Sequence, residues 1–112
     1  MSLSPEDRPV EWVTVAIIRQ LFREQGYLKR LMSGELVARI AKSRHPHHPP
    51  KGEPHCTQSQ ALFYYSADGK PRAVVHQYLR PDGTIGASGL PDPKRLFLDD
   101  RIVSVRSPPR SE

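Results

Sequence analysis

The apolar positions of this chain change their period near residue 60. In the first half, Val10, Val13, Ile17 and Leu21 fall on one stripe of a 3.6-residue repeat, flanked by Trp12, Ala16 and Ile18. That spacing predicts a helix over Val10–Gln25, stopped by Gly26, with Trp12 and Phe22 as core anchors. The β-branched content of Val10–Ile18 also suits a strand. Leu28, Leu31 and Met32, then Leu36, Val37 and Ile40, extend the helical reading over Tyr27–Lys42. Ser33-Gly34-Glu35 breaks it, with Ser33 as a cap for a third piece. Helices followed by a hairpin is also the order of a winged-helix DNA reader, with Arg39, Lys42 and Arg44 as basic side chains on the third helix.

In the second half the pattern turns to strands. Ala61–Ser66, ALFYYS, has the aromatic content of a strand, and Asp68-Gly69 turns it into Arg72–Leu79. A two-residue loop there sets Tyr65 opposite Arg72 and Phe63 opposite Val74; a three-residue loop exchanges the faces. Arg80-Pro81-Asp82-Gly83-Thr84 is the clearest turn in the chain: Pro presets φ, Asp bonds back to the backbone and Gly accepts positive φ. It sets Arg80 opposite Thr84, Leu79 opposite Ile85, Tyr78 opposite Gly86, Gln77 opposite Ala87 and His76 opposite Ser88. One face then carries Val75, Gln77, Leu79, Ile85 and Ala87, and the other His76, Tyr78, Arg80, Thr84, Gly86 and Ser88. Leu96–Leu98 and Arg101–Arg106, joined at Asp99-Asp100, read as one more hairpin.

These elements predict an α+β fold: two or three N-terminal helices packed on a four- to five-stranded antiparallel sheet, a meander with strands near 61–66, 72–80 and 84–88. The domain spans 1–106, and the tail 107–112, SPPRSE, lacks apolar residues and is expected to be disordered.

Composition narrows the setting. Hydrophobic residues make up 37% of the chain and there are 12 prolines, so the core is modest. No apolar run approaches the ~20 residues that cross a bilayer, which argues against a membrane partner. The N-terminus lacks a basic start with an apolar segment. The lone Cys56 has no disulfide partner, which fits a reducing cytoplasm. The net charge of +5, from 17 basic and 12 acidic residues well interspersed, favours RNA or another polyanion as partner.

The candidate chemistry gathers on the second hairpin. His76, Tyr78 and Arg80 offer a base, a phenol and a cation for RNA cleavage without a metal. Tyr64 or Tyr65 offers a ring for base stacking. The proline-pinned loop after Ser88 brings Lys94 and Arg95 towards the His76 end, and Gly86 leaves a notch across from Tyr78. Arg44–Gln60, RHPHHPPKGEPHCTQSQ, reads as an extended loop. Its His45, His47, His48, His55 and Cys56 are metal-ligand types without paired zinc spacing, so no metal or cofactor is assigned. Three readings follow: binding of RNA or single strands on the polar face of residues 72–88, a metal-independent ribonuclease, and an interaction module or homo-oligomer anchored by Tyr64, Tyr78 and Trp12. The run H-x-Y-x-R-P-D-G-T-I-G-x-S-G-x-P-D-P-K-R-L, His76 to Leu96, resembles a segment of small uncharacterised bacterial proteins. It covers about a fifth of the chain, and the resemblance implies no activity.

Overall fold

The computed structural model describes residues 8–44, 52–86 and 89–105. In chain order it has β1 (Val10–Val13), α1 (Val15–Glu24), α2 (Tyr27–Ser33), β2 (Leu36–Arg44), β3 (Gln58–Ser66), β4 (Pro71–Leu79), β5 (Asp92–Phe97) and β6 (Ile102–Val105). The strands form one sheet in the order β1-β6-β5-β4-β3-β2. β2 to β6 are successive antiparallel neighbours, and β1 joins β6 in parallel, with Val10 opposite Ile102 and Val13 opposite Val105. The expected four- or five-stranded antiparallel meander is thereby corrected to a mixed sheet of six strands among the described residues, beside two helices where two or three were expected.

The first correction lies at Thr14. Its side chain accepts a hydrogen bond from the Ile17 amide at 3.2 Å, which starts α1 there and leaves Val10–Val13 to the sheet. The buried stripe of α1 is Ile18 and Phe22, not Val10 and Ile17, and Trp12 is 51% exposed rather than a core anchor. Gly26, at φ 65°, ends the first helix and opens the second, so the Tyr27 ring folds back in a stack on Phe22 with centroids 5.2 Å apart.

The second correction lies at Leu36–Arg44. Leu, Ala, Arg and Lys favour helix there, but pairing along β3, from Leu36 opposite Ser66 to Arg44 opposite Ser59, overrides the propensity. The exposed Val37 and Ile40 mask the alternation a strand would show. With the third piece a strand, the winged-helix order does not hold.

The β3–β4 turn resolves the open register. Ser66 bonds Lys70 across a three-residue loop, and Tyr65 faces Pro71. A register shift beside Arg72 then restores Phe63 opposite Val74. At the next turn Arg80 bonds Thr84, Leu79 bridges Ile85 and the Gly86 amide bonds the Tyr78 carbonyl at 2.7 Å. The expected strand over 84–88 reduces, among the described residues, to that single bridge; beyond it β5 pairs with β4 and sets Asp92 opposite His76, and the expected partner Ser88 lies outside the described residues.

The two faces of the sheet differ sharply. Leu36, Leu62, Tyr64, Ala73, Val75, Leu96 and Val103 point to one side and pack against Ile18, Phe22 and Tyr27 of the helices. Burying each large side chain there stabilises the fold by about 1.5–3 kcal/mol. Beyond the helices the same face carries a polar cluster in which the buried Gln60 accepts from Gln77 at 2.9 Å. The opposite face carries no helix among the described residues.

Candidate functional site

Cross-strand partners share a face, so the register writes the helix-free face as rows. One row runs Arg39, Phe63, Val74, Arg95, Ser104 and Trp12 across the whole sheet. The next is Lys42, Ala61, His76 and Asp92, followed by Arg44, Ser59 and Tyr78. On the other side of Phe63 stands Tyr65, its ring stacked on Phe63 at 6.0 Å and 24°. Cations line the β2 edge of this face, and rings and polar groups fill the strands beside it.

Two depressions open along that edge. One, of about 200 Å³, is lined by Lys42, Arg44, Ser59, Ala61 and His76. Its floor is Ala61, the only small side chain in a row flanked by Lys42 and His76. The other, of about 420 Å³, is lined by Val37, Arg39, Tyr65 and the β3–β4 turn.

His76 is held by one hydrogen bond and one ring contact. Its Nε2 lies 2.7 Å from Ser59 Oγ, and the Tyr78 ring meets the imidazole edge-on at 4.8 Å. Burial pushes its pKa below the ordinary 6.5, with Lys94 acting in the same direction and Asp92 against it. The ring is therefore neutral at pH 7. Burial also raises the Asp92 carboxyl, but bonds from Lys94 at 2.9 Å and Arg19 at 3.0 Å outweigh it and hold the group below the usual carboxylate range. The set offers a neutral base, a hydroxyl and two cations around one hollow.

Several expected site residues sit elsewhere. Tyr64 faces the helices, 1% exposed, and burial raises its phenol to about 12; it is a core residue, and Tyr65 holds the open-face position. Arg80 is engaged by Glu53, with Nε and Nη2 donating at 2.7 and 3.1 Å, and that hydrogen bond raises its pKa further. The Glu53 carboxylate also fills the expected notch at Gly86, where an added Cβ would lie 2.6 Å from Oε2. Lys94 is exposed and bonded to Asp92, and Arg95 is half-buried, donating to Ser104 Oγ at 3.4 Å. Ser88 lies outside the described residues, as do His45, His47 and His48. His55 and Cys56 are exposed in the turn that Thr57 closes on the Pro54 carbonyl. Among the described residues no group of three or more His, Cys, Asp or Glu is placed to hold a metal ion, and no helix is long and apolar enough to cross a membrane.

Sequence reasoning missed Ser59, Ala61 and Glu53. The period-2 pattern of Ala61, Phe63 and Tyr65, extended back one step, reaches Ser59 and would have placed it on the His76 face. Glu53 left no such signal, because its contact with Arg80 spans 27 residues of chain. Comparison with family models, curated proteins and solved structures finds no match to this chain.

Proposed function

We propose that the helix-free face of the sheet binds single-stranded nucleic acid, RNA first among them. The observation that carries this reading is the β2 edge: Arg39, Lys42 and Arg44 form no ion pair with any described residue and stand beside Phe63, Tyr65, His76 and Tyr78. Charges on an edge strand also serve to block edge-to-edge pairing. That role needs no aromatic neighbours, whereas stacking of bases on rings with cations for the phosphates needs both. The half-buried Phe63 and Tyr65 present apolar surface on a face that no described helix covers.

A binding titration with an eight-nucleotide RNA and DNA, at low and moderate salt, tests the reading. Each phosphate contact on a single strand contributes about 0.7 to the slope of log affinity against log salt. Lys42→Ala/Arg44→Ala removes two cations, so the slope falls by about 1.4. Absence of binding at low salt, or an unchanged slope in the variant, contradicts the proposal.

The neutral His76 favours a second reading, RNA cleavage without a metal. His76 would take the 2′-hydroxyl proton, Tyr78 would protonate the leaving oxygen, and Lys42 and Arg44 would stabilise the phosphorane in place of Arg80. RNA that stays intact after long incubation with the wild type removes it. The homo-oligomer reading loses one of its anchors, since Tyr64 is in the core.

A further inference from the structure

We infer that the hollow between Lys42, Arg44, Ser59 and His76 is a subsite for a terminal phosphate monoester, the dianionic end of a nucleic-acid strand. The inference rests on the proposed function and names what one end of that site takes.

Three features separate this hollow from the rest of the face. The first is shape. Ala61 lies between Lys42 and His76 in the same row, and its single methyl leaves room where Phe63, two residues on, fills the corresponding position. The result is a concavity of about 200 Å³ rather than a flat stacking surface. A base stacks on a flat ring; a tetrahedral group with donors on several sides needs a hollow.

The second is charge. Lys42 and Arg44 are two cations without an ion-pair partner among the described residues. A phosphate monoester carries about −1.5 to −2 charges at pH 7, close to what two cations balance, whereas each internal phosphodiester carries one. The single acid of the His76 row, Asp92, is already bonded by Lys94 and Arg19 and opposes an incoming anion little.

The third is the Ser59–His76 bond. In the tautomer of neutral His76 that carries its proton on Nδ1, Ser59 spends its only proton on Nε2, 2.7 Å away. An anion in the hollow favours the imidazolium. Nε2–H then donates to Ser59 Oγ, and the freed Ser59 O–H turns to a phosphate oxygen. One proton taken up by the ring thus converts a closed pair into a donor facing the ligand. No covalent bond changes. The groups facing His76 during this step are Lys42 and Arg44 from β2, Tyr78 from its own strand, and Asp92 and Lys94 from β5. Arg44 is the last residue of β2, so among the described residues the hollow lies at one end of the row of cations that begins at Arg39.

The test is a set of anisotropy titrations with one eight-nucleotide RNA carrying a 5′-phosphate, a 3′-phosphate or hydroxyls at both ends. Wild type, Ala61→Leu and Ser59→Ala are compared, with melting curves to confirm that each variant folds. One phosphorylated strand is expected to bind about tenfold tighter than the hydroxyl-ended one, the range of one or two charge-assisted hydrogen bonds. Which end wins identifies the end recognised. Ala61→Leu fills the floor and Ser59→Ala removes the relay, and both are expected to abolish the preference. Equal affinity for the three strands, with salt-sensitive binding intact, overturns the inference and leaves the proposed function standing. A preference that survives in both variants places the phosphate elsewhere and also overturns it. No binding of any strand at low salt overturns both.

Discussion

Ser59 Oγ and His76 Nε2 stand 2.7 Å apart across β3 and β4, although the residue directly opposite His76 is Ala61. The contact is a diagonal one, two residues along the neighbouring strand, and it exists because Ala61 is too small to separate the pair. It ties the candidate site to paired strands of the sheet rather than to a loop.

Burial of this pair makes stability depend on pH in a stated direction. The folded pKa of His76 lies below the ordinary 6.5, so between the two values the unfolded chain binds more protons. The contribution is complete above 6.5 and is lost as pH falls through that window. Melting curves between pH 7.5 and about 5 are expected to show a loss that flattens in His76→Gln. Nucleic-acid affinity is expected to move the opposite way, rising as His76 takes a proton between Lys42, Arg44, Lys94, Asp92 and Tyr78.

Gly86 is held to glycine by Glu53 rather than by its own backbone angle. A Cβ at this position meets the Glu53 carboxylate at 2.6 Å. Gly86→Ala is expected to destabilise the fold by about 1–3 kcal/mol, the usual penalty of overpacking. Because the clash is with one side chain, the penalty shrinks when Glu53→Ala is made as well. Urea unfolding of the two single variants and the double variant measures that coupling, and strictly additive effects would contradict the contact.

The two adjacent tyrosines of β3 divide between fold and function. Tyr64→Ala empties a core position and is expected to cost about 3–5 kcal/mol, as large-to-small aromatic changes do. Tyr65→Ala is expected to cost less stability, about 0.5–1.5 kcal/mol for its stack on Phe63, and to weaken single-strand binding by about 1–3 kcal/mol, the range of one stacked base. Thermal unfolding and anisotropy on the same two samples separate the roles.

Trp12 and Ile18 reverse the ranking that hydrophobicity alone assigns them. Ile18→Ala should lose about 2–5 kcal/mol, while Trp12→Ala, half exposed on the edge strand β1, should change stability by less than about 0.5 kcal/mol. A Trp12→Ala loss comparable to that of Ile18→Ala would mean that the ring is covered in solution.

The second half of the chain was more legible than the first. Pro81-Asp82-Gly83 determines its turn through local chemistry, so Leu79 opposite Ile85 could be read from residues alone. Val10–Val13 could not, because its apolar residues Val10, Trp12 and Val13 continue directly into those of α1, and only the Thr14 cap divides them. Leu36–Arg44 reads as helix because its propensity is local, while the pairing with Gln58–Ser66 that overrides it is distant in sequence. The site followed the same rule. His76 and Tyr78 were visible on one face by alternation, and the basic residues Lys42 and Arg44 were visible as charges. Their meeting around Ala61 depends on the order of β2, β3 and β4 in the sheet, which no short stretch encodes.

A ¹⁵N-edited NMR titration with a short single-stranded RNA at low salt maps whether the helix-free face carries the ligand. Shifts are expected in the amides of Arg39, Lys42, Arg44, Ser59, Phe63, Tyr65 and His76, with α1 and α2 unmoved. Shifts centred on the helices or on the Trp12 edge, or no shifts at all, would contradict it.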